Sequence, residues 1–260
     1  MLPAGGKATA PPPVRPSSLL WPVLVVAVAA LCVRLGFWQI SRLHEKQALN
    51  TGLRSELAGR PIPLDEISAP VDSLRGRKLE MRGRFDERRQ ILLAGRAHDG
   101  APGVDVVTPL LLGNGTHAVL VDRGWLYAPD AATARPRDYP EPGEREVTGL
   151  ADPLRRGAGG PSLRAMSGDS VQLLSARWLD LDSLAPRFPY ALAPVVLREL
   201  PGHGVPEKPL RRPPRPLDEF MHVSYAIQWF TFAAILLGGS AAVARSRRRG
   251  AGPAVPGRID

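Results

Sequence analysis

The stretch GVDVVTPLLLGNGTHAVLVDRGWLY, residues 103–127, holds two apolar runs separated by Gly113-Asn114-Gly115. Asn-Gly between apolar runs signals a hairpin, because the tight turn needs positive φ values that these residues adopt at little cost. The two runs are therefore expected to pair antiparallel. Upstream, RKLEMRGRF (77–85) alternates Leu79, Met81, Gly83 and Phe85 with charged residues, which sets one side of another strand on a core. Residues 90–94 read as a short second strand. REVTGL (145–150) and YALAPVVLREL (190–200) add two more, with Pro194 pushing the latter toward a sheet edge or a bulge. WLDLDSLAPRF (178–188) reads as a short helix between them, and residues 155–168 as a Gly-rich surface loop. PGHGVPEKPLRRPPRP (201–216), with six prolines in sixteen residues, reads as a semi-extended spacer. The centre of the chain is thus an antiparallel β-rich domain with enough strands to close into a barrel.

Outside this centre lie two apolar stretches, 19–40 and 222–244. Each has about the length that crosses a hydrocarbon core, roughly 20 residues at 1.5 Å rise. Pro22 near the start of the first and Arg34 near its end sit where a helix terminus tolerates proline and a long cation snorkels to headgroups. The expected class is a membrane-anchored α+β protein with two transmembrane helices flanking an antiparallel β-rich, barrel-like extracytoplasmic domain. The expected division is a cytoplasmic tail (1–18), a first span (19–40), a β-rich domain (41–200), a Pro-rich spacer (201–221), a second span (222–244) and a basic tail (245–260). Six of the nine net positive charges fall in the two tails, which by the positive-inside rule face the cytoplasm, leaving the central domain periplasmic. A cleaved signal is the rival for the first stretch, since Ala27-Val28-Ala29 has the small-x-small form, but the apolar run continues past it to Phe37. The first eighteen residues are neither amphipathic nor Arg-rich enough for a transit peptide, so a bacterial inner membrane is expected.

The high pI is mostly this topology signal. No basic face with interleaved aromatics appears in the loop, so nucleic acid is not the expected partner, and the lipid bilayer is. One cysteine in 260 residues excludes an intrachain disulfide framework, C-x-x-C metal delivery and C-x-x-C-H haem attachment. Cys32 lies inside the first span and reads as a packing residue. No G-x-S-x-G, H-E-x-x-H, phosphate-loop or dinucleotide motif is present. A binding or assembly role gains by elimination, and the chain is not expected to be an enzyme.

The membrane boundary is richer in chemistry. At 100° per residue, His222, Tyr225, Ala226, Trp229 and Ala233 fall on one side of the second helix, stacking an imidazole, a phenol and an indole. In the first helix Arg34, Trp38, Arg42 and Glu45 share a stripe, with His44 pointing about 120° away. Helix pairing is expected through the small-residue surface of Gly238, Gly239 and Ala242. Interfacial aromatic residues and snorkelling cations explain the same residues without any ligand. In VDRGW, Arg123 and Trp125 are two apart and are expected on the same sheet face, either stiffening the domain or reaching a ligand.

These motifs also bear a resemblance. LGFWQISRLHEK (35–46), the block RGRFDERRQILLAGRAHDGAPGVDVVTPLLLGNGTHAVLVDRGW (82–125) and HVSYAIQWF (222–230), in that order, resemble the surfeit locus protein one family of membrane assembly factors for cytochrome c oxidase and related haem-copper oxidases. The resemblance covers residues 19–245. Two departures stand out: Phe220-Met221 replaces an Asn-Asn pair common before the terminal His, and Asp122 replaces an Asn in V-N-R-G-W. Neither touches His222, Tyr225, Trp229, Gly36, Trp38, Gln39 or Arg123.

The resemblance implies a helper in oxidase biogenesis whose partners are oxidase subunit I and the haem a synthesis machinery, and a transient haem a cofactor. Haem a joins an apolar tail, two propionates and an iron that accepts neutral imidazole, which suits the end of a membrane span. On that implication His222 is the metal ligand, Tyr225 and Trp229 flank the macrocycle with Trp38 beside them, and Arg34 or Arg42 pairs with propionates. A haem-free scaffold for oxidase subunits and, less favoured, a membrane-tethered envelope enzyme are the competing classes.

Overall fold

The computed structural model describes residues 17–63, 70–157, 164–166 and 172–250. Most of the two tails, at 1–16 and 251–260, and residues 158–163 and 167–168 of the Gly-rich loop lie outside the described residues. Among the described residues there are three α-helices, α1 (Ser17–Ala58), α2 (Leu181–Leu184) and α3 (Phe220–Gly250). The strands are β1 (Ile62–Pro63), β2 (Lys78–Phe85), β3 (Arg89–His98), β4 (Ala101–Leu112), β5 (His117–Tyr127), β6 (Glu144–Pro153), β7 (Arg164–Met166), β8 (Gln172–Ala176) and β9 (Ala191–Glu199). The chain divides into two compact units, one made of Met1–Asn50 with Leu217–Asp260, the other of Thr51–Pro216.

In the second unit five strands close on themselves. The order β2-β6-β9-β5-β4 returns to its start because β2 also pairs with β4, from Gly83 opposite Leu112 to Phe85 opposite Leu110. Closure removes the exposed edges that an open antiparallel sheet would present. β4 and β5 form the expected hairpin, with antiparallel register from Leu112 opposite His117 onward. The period-two pattern of β2 holds throughout: Leu79, Met81, Gly83 and Phe85 are all buried. They meet Leu110, Val119, Val121, Val147 and Leu197 to fill the barrel. Removing a buried side chain such as Leu79 leaves a cavity and costs about 2–5 kcal/mol. From β4 the sheet continues outward through β3, β8 and β7, and α2 with the helical turn Ala185–Arg187 closes a second apolar cluster around Ile91, Leu120, Leu184 and Phe188. Asp180 starts α2, its Oδ1 accepting from the Ser183 N–H at 3.0 Å.

Three expectations change in this unit. Pro194 lies in β9 between β6 and β5, so the strand is interior, and the proline is accommodated by a register shift between Ala118 and Leu120 on the neighbouring strand. The bulge alternative therefore holds and the edge alternative does not. Part of the expected Gly-rich loop is strand β7, antiparallel to β8. The Pro-rich spacer is docked on the barrel: Leu210 and Trp125 exchange backbone hydrogen bonds of 3.0 and 2.8 Å, and Arg211 is buried. Prolines remove donors from such a strap, but Leu210 keeps both of its backbone groups and spends both on β5.

In the first unit α1 continues well past residue 40. The sequence SRLHEKQALNTGLRSELA has no proline and is rich in straight-chain helix formers, and Gly59 ends the helix with its N–H on Ser55 and Glu56 carbonyls. Its fully buried positions, Val25, Ala29, Cys32, Gly36, Gln39 and Asn50, fit steps of four and three residues, with half-buried Leu43 and Lys46 continuing the stripe. On α3 the positions His222, Ala226, Trp229, Ala233, Leu236 and Ser240 follow the same spacing, with Phe230 beside them reaching α1 as well. A 3.5-residue repeat is the signature of two helices packed side by side with a left-handed crossing. The small residues that matter are therefore not those expected from sequence. Around Gly238 and Gly239 there is nothing within 4 Å of where a side chain would begin, whereas a Cβ on Gly36 would meet the Phe230 ring at 2.7 Å. Gly36 is the close-approach position of the pair.

Candidate functional site

The only imidazole on the α3 seam is the starting point. His222 Nδ1 and Gln39 Oε1 are 2.7 Å apart, and an amide oxygen only accepts, so Nδ1 is the protonated nitrogen. Nε2 has no hydrogen-bond partner among the described residues. Gln39 itself is buried, 8% exposed, held in the seam one turn beyond Gly36. Phe230 fills the space above Gly36 and packs edge-to-face on Phe37 at 5.4 Å between centroids, so the ring stack sets how closely the helices meet beside the imidazole.

Further along the pair, Asn50 acts as a register clamp. Its Oδ1 accepts from the Leu217 N–H at 2.8 Å, and its Nδ2 donates to the Leu217 carbonyl at 3.0 Å and to Glu219 Oε1 at 2.7 Å. Lys46 Nζ donates to the Asp218 carbonyl at 3.1 Å, and Gln47 Nε2 to Glu219 Oε2 at 3.3 Å. The backbone just ahead of α3 is thus tied to α1 about 16 Å from Gln39, eleven residues at 1.5 Å rise.

The other residues singled out from sequence are distributed less evenly. Trp229 lies on the seam, half-buried, with its ring edge-to-face on Phe232 at 6.0 Å. Tyr225 is off the seam and 46% exposed, and Trp38 is 54% exposed beside Gln39. Arg34 is exposed on the flank of α1. Arg42 is exposed and paired within its own helix to Glu45 at 2.5 Å. His44 is exposed as well. The structure brings together His222 and Gln39, sets Trp229 two turns further along the same seam, and leaves Arg34, Trp38, Arg42 and Tyr225 exposed off it. Gln39 and Asn50 carried no assigned role in the sequence reading. The four-three spacing of residues 25 to 50 is the signal that puts both on the buried seam.

VDRGW belongs to the barrel. Arg123 and Trp125 do not share a sheet face, because Val107 pairs with Asp122 while Asp105 pairs with Trp125, so β5 carries one extra residue between them. Gly124 makes that bulge with φ of +109°, and a Cβ there would lie 2.3 Å from the Leu210 carbonyl oxygen. Arg123 therefore turns fully inside, 5.0 Å above the Phe85 ring, donating to Glu141 Oε1 at 2.7 and 3.1 Å, to the Tyr139 carbonyl at 2.7 Å and to Thr108 Oγ1 at 3.3 Å. Trp125 stays half-exposed and packs on His98. Arg211 reaches Glu141 Oε1 from the docked strap and Glu199 Oε2 at 2.8 Å. Burial works to raise the Glu141 carboxyl, but the guanidinium groups of Arg123 and Arg211 outweigh it and hold the group below the usual range. Burial raises the Glu199 carboxyl, against the opposing pull of Arg211. Of the two readings of Arg123, the stiffening one is the one the geometry supports.

α1 and α3 are long and apolar enough to cross a membrane, and only 22% and 11% of their apolar windows are buried. Core helices of a soluble protein would be mostly covered, so these faces suit lipid. Fold and helix pair together define a membrane-anchored α+β protein with a barrel domain. The family model described as "SURF1 family" matches residues 26–234, and the chain belongs to that family. It is 27% identical over 139 residues to a yeast protein named "Cytochrome oxidase assembly protein SHY1" (Saccharomyces cerevisiae), covering 51% of this chain and 36% of the relative. It is 29% identical over 149 residues to "Surfeit locus protein 1" of Takifugu rubripes, covering 52% of this chain and 61% of the relative. A "SURF1-like protein" of Rickettsia felis is 34% identical over 105 residues, 40% of this chain and 45% of the relative. The chain thus spans between about a third and three fifths of these relatives.

Proposed function

We propose that this protein is a non-enzymatic assembly factor for a haem-copper oxidase, and that it binds haem a at the paired helices with His222 as iron ligand. Family membership and the name of the yeast relative support the assembly role. The observation that carries the cofactor reading is the His222–Gln39 hydrogen bond. Ligating histidines characteristically donate their second ring N–H to a carbonyl or carboxylate, which raises the basicity of the ligating nitrogen and fixes the ring. Here Gln39 supplies that partner from the other helix, in place of the Asn-Asn pair whose positions are Phe220 and Met221. Such an arrangement fits an iron at Nε2, with Trp229 beside the macrocycle and Tyr225 and Trp38 at its rim. In this reading Arg34, exposed on the flank of α1, or Arg42, once it gives up its pair with Glu45, would pair with a propionate. Haem a would supply the oxidase with its redox group; this chain holds, orients and releases it.

In the same reading the protein is a two-span component of a bacterial inner membrane, with both termini cytoplasmic, the barrel periplasmic, and subunit I and the haem a synthesis machinery as partners. The basic run Arg245, Arg247, Arg248 and Arg249 supports that orientation. Purification of the full chain from a haem a-producing host tests the proposal. Wild type is expected to carry a haem a absorption spectrum that His222→Ala loses, and Gln39→Leu is expected to weaken binding by about 10- to 100-fold. Equal haem in wild type and His222→Ala removes His222 from the site, and colourless wild type with copurifying oxidase subunits favours the haem-free scaffold.

A further inference from the structure

We propose that a cleft in the barrel unit binds a small amphipathic oxyanion, a carboxylate or phosphate ester, through the guanidinium groups of Arg155 and Arg198. The cleft has a volume of about 560 Å³, within the range of small-molecule sites. β3, β4, β5, β6 and β9 all contribute to it, and the docked strap closes one side with Arg212 and Arg215. Two bulges flank it, one between Leu93 and Arg96 on β3 and the other on β5 beyond Asp122. Bulges re-aim side chains, and both lie where charged groups line the cleft.

The charges are unequal. Five guanidinium groups (Arg96, Arg155, Arg198, Arg212 and Arg215) line the cleft against three carboxylates (Asp105, Asp122 and Asp152). Asp105 is shared by Arg96 at 3.3 Å and by Arg212, and Arg215 pairs with Asp99 at 2.8 Å. Arg155 is exposed and has no ion pair among the described residues. Arg198 is held only by Asp152 at 3.0 Å, a pair half open to solvent that an incoming anion can displace at little cost. Burial first, then the neighbouring Asp122, pushes the Asp105 carboxyl up to about 6, so negative charge on the cleft floor is shed just below neutral pH. Apolar side chains line the cleft beside these charges: Trp178, Leu154, Leu179 and Val196. A guanidinium fork takes carboxylate and phosphate oxygens in the same bidentate geometry, and the apolar lining asks for a hydrophobic body beside the anion.

Calorimetric titration of the full chain in detergent with phenyl phosphate, benzoate, inorganic phosphate and benzyl alcohol tests the proposal. One-to-one saturable binding of phenyl phosphate or benzoate is expected, and the stronger of the two names the source of the oxyanion. Inorganic phosphate is expected to bind more weakly and benzyl alcohol not to saturate. Arg155→Gln, an exposed change that leaves thermal unfolding in place, is expected to weaken the aromatic anion by about tenfold, as is Arg198→Gln. The proposal is overturned if neither aromatic anion saturates up to millimolar concentration, the weak end of specific binding. It is equally overturned if inorganic phosphate binds as tightly as phenyl phosphate, or if both variants bind as wild type does.

Discussion

Barrel and helix pair both bury polar groups, the barrel through ion pairs and the helix seam through the uncharged amides of Gln39 and Asn50. Inside the barrel Arg123, Glu141, Glu199 and Arg211 are all under 6% exposed, and each meets an opposite charge. On the helix seam His222 meets Gln39 through one ring nitrogen and offers nothing to the other among the described residues. Unpaired polar groups in a dry interior cost about 1–3 kcal/mol each, so proteins ordinarily satisfy them. A paired network explains a stable fold. His222 is only partly buried, so its second ring nitrogen is not sealed in a dry interior, and the proposed ligand role rests on that open position.

The sharpest way to break the contrast is to unbalance the barrel. Arg211→Ala leaves Glu199 buried without its cation and Glu141 with fewer partners, and removing one member of a buried pair costs about 3–5 kcal/mol. For a unit of this size the thermal midpoint should fall by roughly 10 °C or more. Replacing both members, Arg211→Met with Glu199→Leu, should recover much of that loss, because no charge is left stranded. An unchanged midpoint for Arg211→Ala would show that the strap is not held by its ion pairs.

A smaller effect comes from pH. Asp105 titrates at about 6 in the folded barrel, above its usual 3.8, so between those values the folded state binds the proton more tightly than the unfolded state does. Stability attributable to this group therefore rises as pH falls through that window and is lost as pH climbs past 6. The groups facing it are Arg96 from β3, Asp122 from β5, Arg198 from β9 and Arg212 from the strap. Denaturant titrations at pH 7.5 and 4.5 should show wild type gaining about 2 kcal/mol relative to Asp105→Asn. Parallel behaviour of the two proteins would assign the acid response to other carboxylates.

Much of the barrel was legible because short-range signals agree with the tertiary outcome. Asn114-Gly115 marks the β4–β5 turn, and the alternation of residues 79 to 85 marks a wall of the core. What stayed hidden depends on contacts far apart in sequence. Arg211 lies in a run of prolines that reads as solvent-exposed spacer, and its burial is explained by Glu199 on β9 and by Glu141, seventy residues away. The bulge at Gly124 breaks a period of two that no local pattern interrupts, which is why Arg123 and Trp125 were expected together. On the helices the helical spacing of His222, Ala226, Trp229 and Ala233 made their shared face legible. Gly238 and Gly239 satisfied the rule for small-residue pairing, but the four-three stripe around Gly36 buries the larger, continuous surface and wins.

Asn50 provides the finest test, because it ties the two helices together without touching the imidazole. Asn50→Ala deletes three hydrogen bonds and strands the partly buried N–H and carbonyl of Leu217. Ordinary hydrogen bonds contribute about 1 kcal/mol each, and water partly replaces those near the surface, so a loss of about 1–2 kcal/mol is expected in detergent unfolding. If the clamp also sets helix register, haem a affinity should fall with it even though His222 and Gln39 are intact. Asn50→Asp separates the two contributions: it keeps an acceptor for the Leu217 N–H but sets a second carboxylate against Glu219. Haem affinity that survives both substitutions would mean that the Gly36–Phe230 packing alone fixes the distance across which Gln39 holds the imidazole.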